Sequence, residues 1–166
     1  MYARILVPVD GSRTSEAGLA EAIHLARMSG GAIRLLHVVE ELPYLPESAN
    51  YAVHVPDLAK DAMERGKALL ERCRAQVAQA GVAVGVALVE SRGRHLEDFV
   101  AAEVAAGRAD VVVLGTHGRR GVGRLLLGSD AEQVVRKSLV PVLLVRQAAA
   151  RAGTARDADV AEPASA

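Results

Sequence analysis

Five short stretches of the chain are dominated by valine, isoleucine and leucine: RILVPVD (4–10), AIRLLHVVE (32–40), VAVGVALVE (82–90), ADVVVLG (109–115) and VPVLLVR (140–146). The first, second, fourth and fifth are apolar almost without interruption, the pattern of strands covered on both faces. The third alternates with small residues, which predicts a place at the edge of a sheet. Helical spacing fills the intervals. Ser12 to Ser15 cap a helix that runs to about Met28 and stops at Gly30-Gly31. After a loop containing Pro43, Pro46 and Pro56, Asp57 caps the longest helix. Its Leu58, Ala62, Leu69, Cys73 and Val77 recur on one face, and Gly81 ends it. Leu96, Phe99, Val100 and Val104 mark a third helix that ends near Gly107; Gly128-Ser129 opens a fourth that runs to about Ser138.

Strands that alternate with helices in this way predict an α/β domain with a parallel sheet and right-handed crossovers. Ligands of such sheets sit beyond the carboxyl ends of the strands, where the strand order reverses. Two loops there carry most of the chemistry. One holds Asp10-Gly11-Ser12 after the first strand, and the other begins at Gly115 after the fourth.

Composition narrows the classes. With 166 residues and 51% hydrophobic content, the chain suits one domain with a full core. Phe99 is its single phenylalanine and tryptophan is absent, so that core is aliphatic. Twenty basic residues balance twenty acidic ones, a poor basis for the phosphate contacts on which nucleic-acid binding depends. The lone Cys73 excludes an internal disulfide and offers no zinc cluster. No stretch has the signature of a signal peptide or of a membrane span, so a cytoplasmic protein without a membrane partner is expected. The domain is expected over residues 1–146. The last twenty residues, from Gln147 to Ala166, have no hydrophobic residue larger than Val160 and predict a disordered tail.

The segment after the fourth strand reads GTHGRRGVGRLLLGSDAEQVVR (115–136). Glycines allow a ligand to approach the backbone. The helix opening at Gly128-Ser129 offers unpaired amides and a dipole to an anion. Ser129 can cap that helix or bond a phosphate, and Arg119, Arg120 and Arg124 add positive charge. GRLLLGS (123–129) approaches the phosphate-loop pattern but lacks its lysine, and Gly123 lies too far from the strand to form that cradle. His117 has no carboxylate or nucleophile at a telling spacing, and His24, His54 and His95 show no metal pattern. His37, within a buried strand, reads as a hydrogen-bonded core histidine, and Cys73 as core. Asp10 can serve its Asp-Gly turn alone.

Four features together resemble the universal stress protein family, over residues 2–146. They are the spacing Gly115-x2-Gly118-x9-Gly128-Ser129, the opening ILVPVDGS, the LLHVV of the second strand and the closing VPVLLVR. The resemblance implies a Rossmann-like, adenine nucleotide alpha hydrolase-like fold. This is an open five-stranded parallel sheet of order 3-2-1-4-5 flanked by four helices, which sets the first and fourth strands side by side. It implies ATP as ligand, with Mg²⁺ as a potential companion, and a regulatory role in the stress response. Adenosine is expected near Pro8, Val9, Asp10 and Val38, with the ribose at Gly115. Phosphates are expected along Gly118, Gly128 and Ser129. Thr116, His117 and Arg119 complete the loop, and Asp130 begins the helix. The family usually carries an uncharged residue where this chain has Asp130, which opens a diphosphate or Mg²⁺-dependent preference. Family members commonly form homodimers through the last strand, here Val140–Val145. Slow ATP hydrolysis and a nucleotide-independent interaction module are the alternatives, although no catalytic base or nucleophile stands out. A receiver domain is disfavoured, because it would need a further acidic pair and a lysine after the fifth strand.

Overall fold

The structure is a computed structural model and describes residues 2–40, 55–116 and 127–146. Pro43, Pro46 and His54 lie outside the described residues, as do the loop residues His117, Gly118, Arg119, Arg120 and Arg124, and the tail 147–166. The elements run β1 (Arg4–Pro8), α1 (Arg13–Ser29), β2 (Ala32–Val39), α2 (Val55–Gln79), β3 (Val84–Glu90), α3 (Leu96–Ala105), β4 (Val111–Gly115), α4 (Ser129–Lys137) and β5 (Val142–Val145). The five strands form one parallel sheet in the order 3-2-1-4-5. β1 therefore lies between β2 and β4, with Ile5 beside both Ile33 and Val111.

The continuous apolar runs are explained by two separate cores. Ile5, Val7, Ile33, Leu35, Val111 and Val113 point to one face, where Leu19 and Ala22 of α1 and Leu69 and Val77 of α2 cover them. Leu6, Leu36, Val112 and Leu114 point to the other, against Phe99 and Val100 of α3 and Val134 of α4. Cys73 belongs to the first core, and burial pushes its thiol pKa up. It is a packing residue, as its helical spacing suggests.

Local chemistry sets the helix ends. The Ser12 hydroxyl accepts a hydrogen bond from Ser15 N at 3.2 Å to open α1. Gly30 closes it at φ 69°, a left-handed conformation that costs glycine little. Two boundaries differ from the expectation. α2 begins at Val55, so Asp57 lies within its first turn and is not its cap. α4 is capped by the backbone of Gly128, so Ser129 is already helical.

β5 also differs from its apolar pattern. Among the described residues it is an edge strand, paired with β4 alone, and Leu143 is 38% exposed. A run of apolar residues cannot distinguish burial on both faces from an edge awaiting cover. β3, expected at an edge, occupies the opposite one.

Two carboxylates of α3 unmarked by the sequence pattern are buried. Glu103 of α3 accepts bidentate hydrogen bonds from Arg34 of β2 and from Arg108, just before β4. Glu97 accepts from Lys137 of α4 at 3.0 Å. Each ties elements distant in sequence, so each buried charge has a partner.

Candidate functional site

The carboxyl ends of β1, β2 and β4 open into one crevice of about 1270 Å³. Pro8, Val9, Asp10 and Val38 line it from the β1–β2 side, and Gly115, Gly128, Ser129 and Asp130 from the β4–α4 side. Eight of the twelve residues singled out from sequence thus share one space. Thr116, next along the chain from Gly115, is buried. His117, Gly118 and Arg119 lie outside the described residues.

The β1 side is held rigid by short-range bonds. Val9 N donates to the Leu36 carbonyl at 2.8 Å, extending the β1–β2 pairing past Pro8. The buried His37 ring bonds the Val9 carbonyl through Nδ1 at 2.6 Å. A carbonyl only accepts, so Nδ1 carries the proton. Asp10 Oδ1 accepts from Ser12 N at 2.9 Å, and Asp10 N donates to Ser15 Oγ at 3.2 Å. The turn role read from the Asp-Gly pair is therefore real, and it fixes a carboxylate at the crevice wall.

The β4 side is built differently. Thr116 N donates to the Val145 carbonyl at 3.0 Å, and the Thr116 carbonyl accepts from Gly128 N at 2.8 Å. The two ends of segment 117–126 are thereby joined beside the crevice. Gly115 is required by packing. A Cβ there would lie 2.6 Å from the Thr14 backbone carbon and oxygen and 2.9 Å from Ser15 N. Gly18 repeats the device from the other side, where a Cβ would meet Gly115 N at 3.2 Å. The amino end of α1 thus lies directly on the end of β4.

The amino end of α4 faces the crevice without a side-chain cap. Its first intrahelical bond runs from Glu132 N to the Gly128 carbonyl at 2.9 Å, which leaves the amides of Ser129, Asp130 and Ala131 without an acceptor inside the helix. α1 is treated otherwise: there the Ser12 hydroxyl accepts from Ser15 N. Orphan amides and the positive end of a helix dipole together suit an anion. Ser129 Oγ does not cap the helix; it lies within donating distance of Asp130 Oδ1, at 3.4 Å.

A second wall escaped the sequence reading. Arg65, Leu69 and Arg72 of α2 line the crevice, as does the turn from Ser91 to Leu96. Ser91 N bonds the Val39 carbonyl at 2.9 Å, and Arg92 takes φ 44° before Gly93 at φ 72°. The one signal was the glycine between two arginines in SRGRH (91–95). Nothing local joins it to residues of α2 or β1. Among the described residues there is no group of three potential metal ligands, and no helix is long and apolar enough to cross a membrane.

Comparison with known proteins gives a consistent result. The universal stress protein family profile matches residues 1–146. A universal stress protein of Thermus aquaticus is 34% identical over 148 residues, covering 88% of this chain and 100% of that protein. The solved structure of a hypothetical protein of Methanocaldococcus jannaschii superposes with a TM-score of 0.72 at 26% identity, covering 89% of this chain and 97% of the other. A universal stress protein of Archaeoglobus fulgidus, solved in complex with dAMP, superposes with a TM-score of 0.56 at 23% identity, covering 87% and 98%. At that identity the likeness is one of fold.

Proposed function

The chain belongs to the universal stress protein family, and from that premise we propose that it binds an adenine nucleotide, ATP or a close relative, and acts as a nucleotide-dependent regulator of the stress response. The observation that carries the reading is the uncapped amino end of α4, which opens onto the crevice shared with Pro8, Val9, Asp10 and Val38. Such an end supplies fixed amide donors for phosphate. Apolar Val9 and Val38 beside the Asp10 carboxylate suit a nucleoside, whose base is flat and whose ribose offers hydroxyl donors. The dAMP complex of the A. fulgidus protein supports the reading, because the same fold there carries an adenylate.

In this arrangement the base rests against Val9 and Val38, Asp10 accepts from the ribose, and the phosphate meets the amides of Ser129, Asp130 and Ala131. Gly118 and its neighbours complete the phosphate loop. Gly115 contributes indirectly, by letting α1 and β4 hold the two walls together. Mg²⁺, when present, accompanies the phosphates, with Asp130 as the carboxylate on that rim.

Protein purified, denatured and filtered should release an adenine nucleotide detectable by mass spectrometry. Calorimetry on verified nucleotide-free protein that shows no heat with AMP, ADP or ATP, with and without Mg²⁺, would refute the assignment. Ser129→Glu places a carboxylate at the first helical position, where the dipole favours it, so the fold should persist. The same carboxylate occupies the anion's place, and affinity should fall at least about tenfold, each tenfold being about 1.4 kcal/mol. Unchanged affinity in that variant would move the phosphates away from α4.

One further observation supports assembly of two chains through β5. Leu143 on this edge strand is 38% exposed, and Leu139 just before it is 92% exposed. We assign the homodimer contact to Val140–Val145. Leu143→Lys should convert a dimer to a monomer in light scattering without loss of nucleotide binding; a mass equal to the wild type's would place the contact elsewhere.

A further inference from the structure

We propose that Asp130 makes this crevice discriminate by phosphate number, favouring a nucleoside monophosphate over a triphosphate unless a divalent cation accompanies the outer phosphates. The inference rests on the nucleotide-binding reading of the crevice and concerns which member of that ligand class it takes.

Asp130 is exposed, sits at the second position of α4 and lines the crevice beside Gly128 and Ser129. No cation of its own helix neutralises it. Arg136 is paired with Glu132 at 2.8 Å, and Lys137 with Glu97 at 3.0 Å. Both lie in the last turn, about 9–10.5 Å further along the helix axis at the helical rise. The hydroxyl of Ser129 lies 3.4 Å from Asp130 Oδ1, within reach to donate to it.

The first phosphate and the later ones therefore meet different conditions. The first can accept from the orphan amides, a short-range and directional gain that offsets repulsion from one nearby carboxylate. Each additional phosphate brings more negative charge to the same rim and finds no further unpaired amide in α4, whose hydrogen bonding is continuous after Glu132. Repulsion between charges several ångströms apart at a half-wet surface is enough to change affinity by about tenfold. Across the crevice, Arg65 and Arg72 of α2 and Arg94 of the turn before α3 contribute positive charge, while Asp10 and Glu40 oppose them. That far wall is electrically mixed, and among the described lining residues the sign on the α4 side is set by Asp130. Arg119, Arg120 and Arg124, outside the described residues, are the groups that could reverse this sign, and the measurement below tests that directly.

Titration calorimetry of the full chain with AMP, ADP and ATP, in EDTA and in Mg²⁺, is the test, applied to the wild type, Asp130→Asn and Asp130→Ser. In EDTA the wild type should bind AMP more tightly than ATP. Asp130→Asn should bind ATP about tenfold more tightly than the wild type, and AMP with a gain several-fold smaller, since AMP brings fewer negative charges to the rim. Added Mg²⁺ should close most of the wild-type gap, and higher salt should narrow it as screening shortens to about 8 Å. Asp130→Ser should repeat the pattern, which separates charge from the shape of the asparagine side chain. Equal gains for AMP and ATP, or no gain for either, would overturn the proposal while leaving nucleotide binding intact; the second outcome is the one expected if the loop arginines neutralise Asp130. Absence of heat with all three nucleotides in every protein would instead refute the nucleotide-binding reading, and this inference with it.

Discussion

Replacing Gly115 with alanine should lower the melting temperature by about 5–10 °C, and any loss of nucleotide binding in that variant should follow the loss of fold. The added Cβ would lie 2.6 Å from the Thr14 backbone carbon and oxygen and 2.9 Å from Ser15 N, and these backbone atoms cannot rotate aside as a side chain would. Thr14 and Ser15 belong to the first turn of α1, which is held by the Ser12 cap and packed through Leu19 and Ala22 into the core. Overpacking of this kind costs about 2–3 kcal/mol, and for a chain of this size each kcal/mol is worth about 2–4 °C. Thermal unfolding monitored by circular dichroism is the measurement. A variant with wild-type melting but no nucleotide affinity would show that Gly115 acts at the ligand, and the packing explanation would be wrong.

Glu103→Gln should destabilise the protein by about 2 kcal/mol at neutral pH. Glu103 is 8% exposed and accepts hydrogen bonds from two guanidinium groups, Arg34 and Arg108. Removing one partner of a buried ion pair leaves uncompensated charge, typically a cost of about 3–5 kcal/mol. The lower figure applies here because Arg108 can turn to solvent. The effect should also depend on pH. Burial alone would raise the Glu103 pKa, but the hydrogen bonds and charges of Arg108 and Arg34 outweigh it and hold the carboxyl below its ordinary 4.5. A group whose pKa is lower in the folded state stabilises fully above its unfolded value, and that stabilisation is lost as pH falls through the folded value. The difference between wild type and Glu103→Gln should thus be complete at pH 7 and shrink below about 4.5. Denaturation midpoints in urea across pH 3–7 would show it. A difference that stays constant across this range would mean that shape, not charge, accounts for the loss.

Much of the frame is legible along the chain because its causes are local. Ser12 and Gly30 mark the ends of α1 through bonds that span a few residues. The apolar runs of β1, β2 and β4 announce strands covered on both sides, and the structure buries Ile5, Leu6 and Val7 completely. The helical spacing of Leu69, Cys73 and Val77 places them on one face, and all three are in one core. Strand order was less accessible: alternation of strands and helices is common to many sheets, and the order 3-2-1-4-5 was reached through the resemblance carried by the glycine spacing. The crevice residues came from the same resemblance, and the adjacency of β1 and β4 is what brings Asp10 and Gly128 to one space.

What the pattern could not convey depends on distances between residues far apart in sequence. The apolar run of β5 does not distinguish an inner strand from the edge strand it forms, since the same pattern serves both. Ser129 looked like a cap, but the chain path leaves that position to Gly128 and turns the hydroxyl to Asp130. Arg34, Glu103 and Arg108 are ordinary charged letters until β2, α3 and the approach to β4 meet. The crevice wall formed by Arg65 and Arg72 exists only once α2 lies over the ends of β1 and β2.

By itself the sequence determined the kinds and extents of the elements, the parallel sheet they can make and the two loops that carry chemistry, because hydrophobic periodicity, caps and turns act between near neighbours. The tertiary structure alone decided why Gly115 must be glycine, which carboxylates are paired, and that the amides of α4 open onto the crevice with Asp130 among them. Those facts are set by close approach between segments distant in sequence, a property of the packed chain that no local pattern encodes.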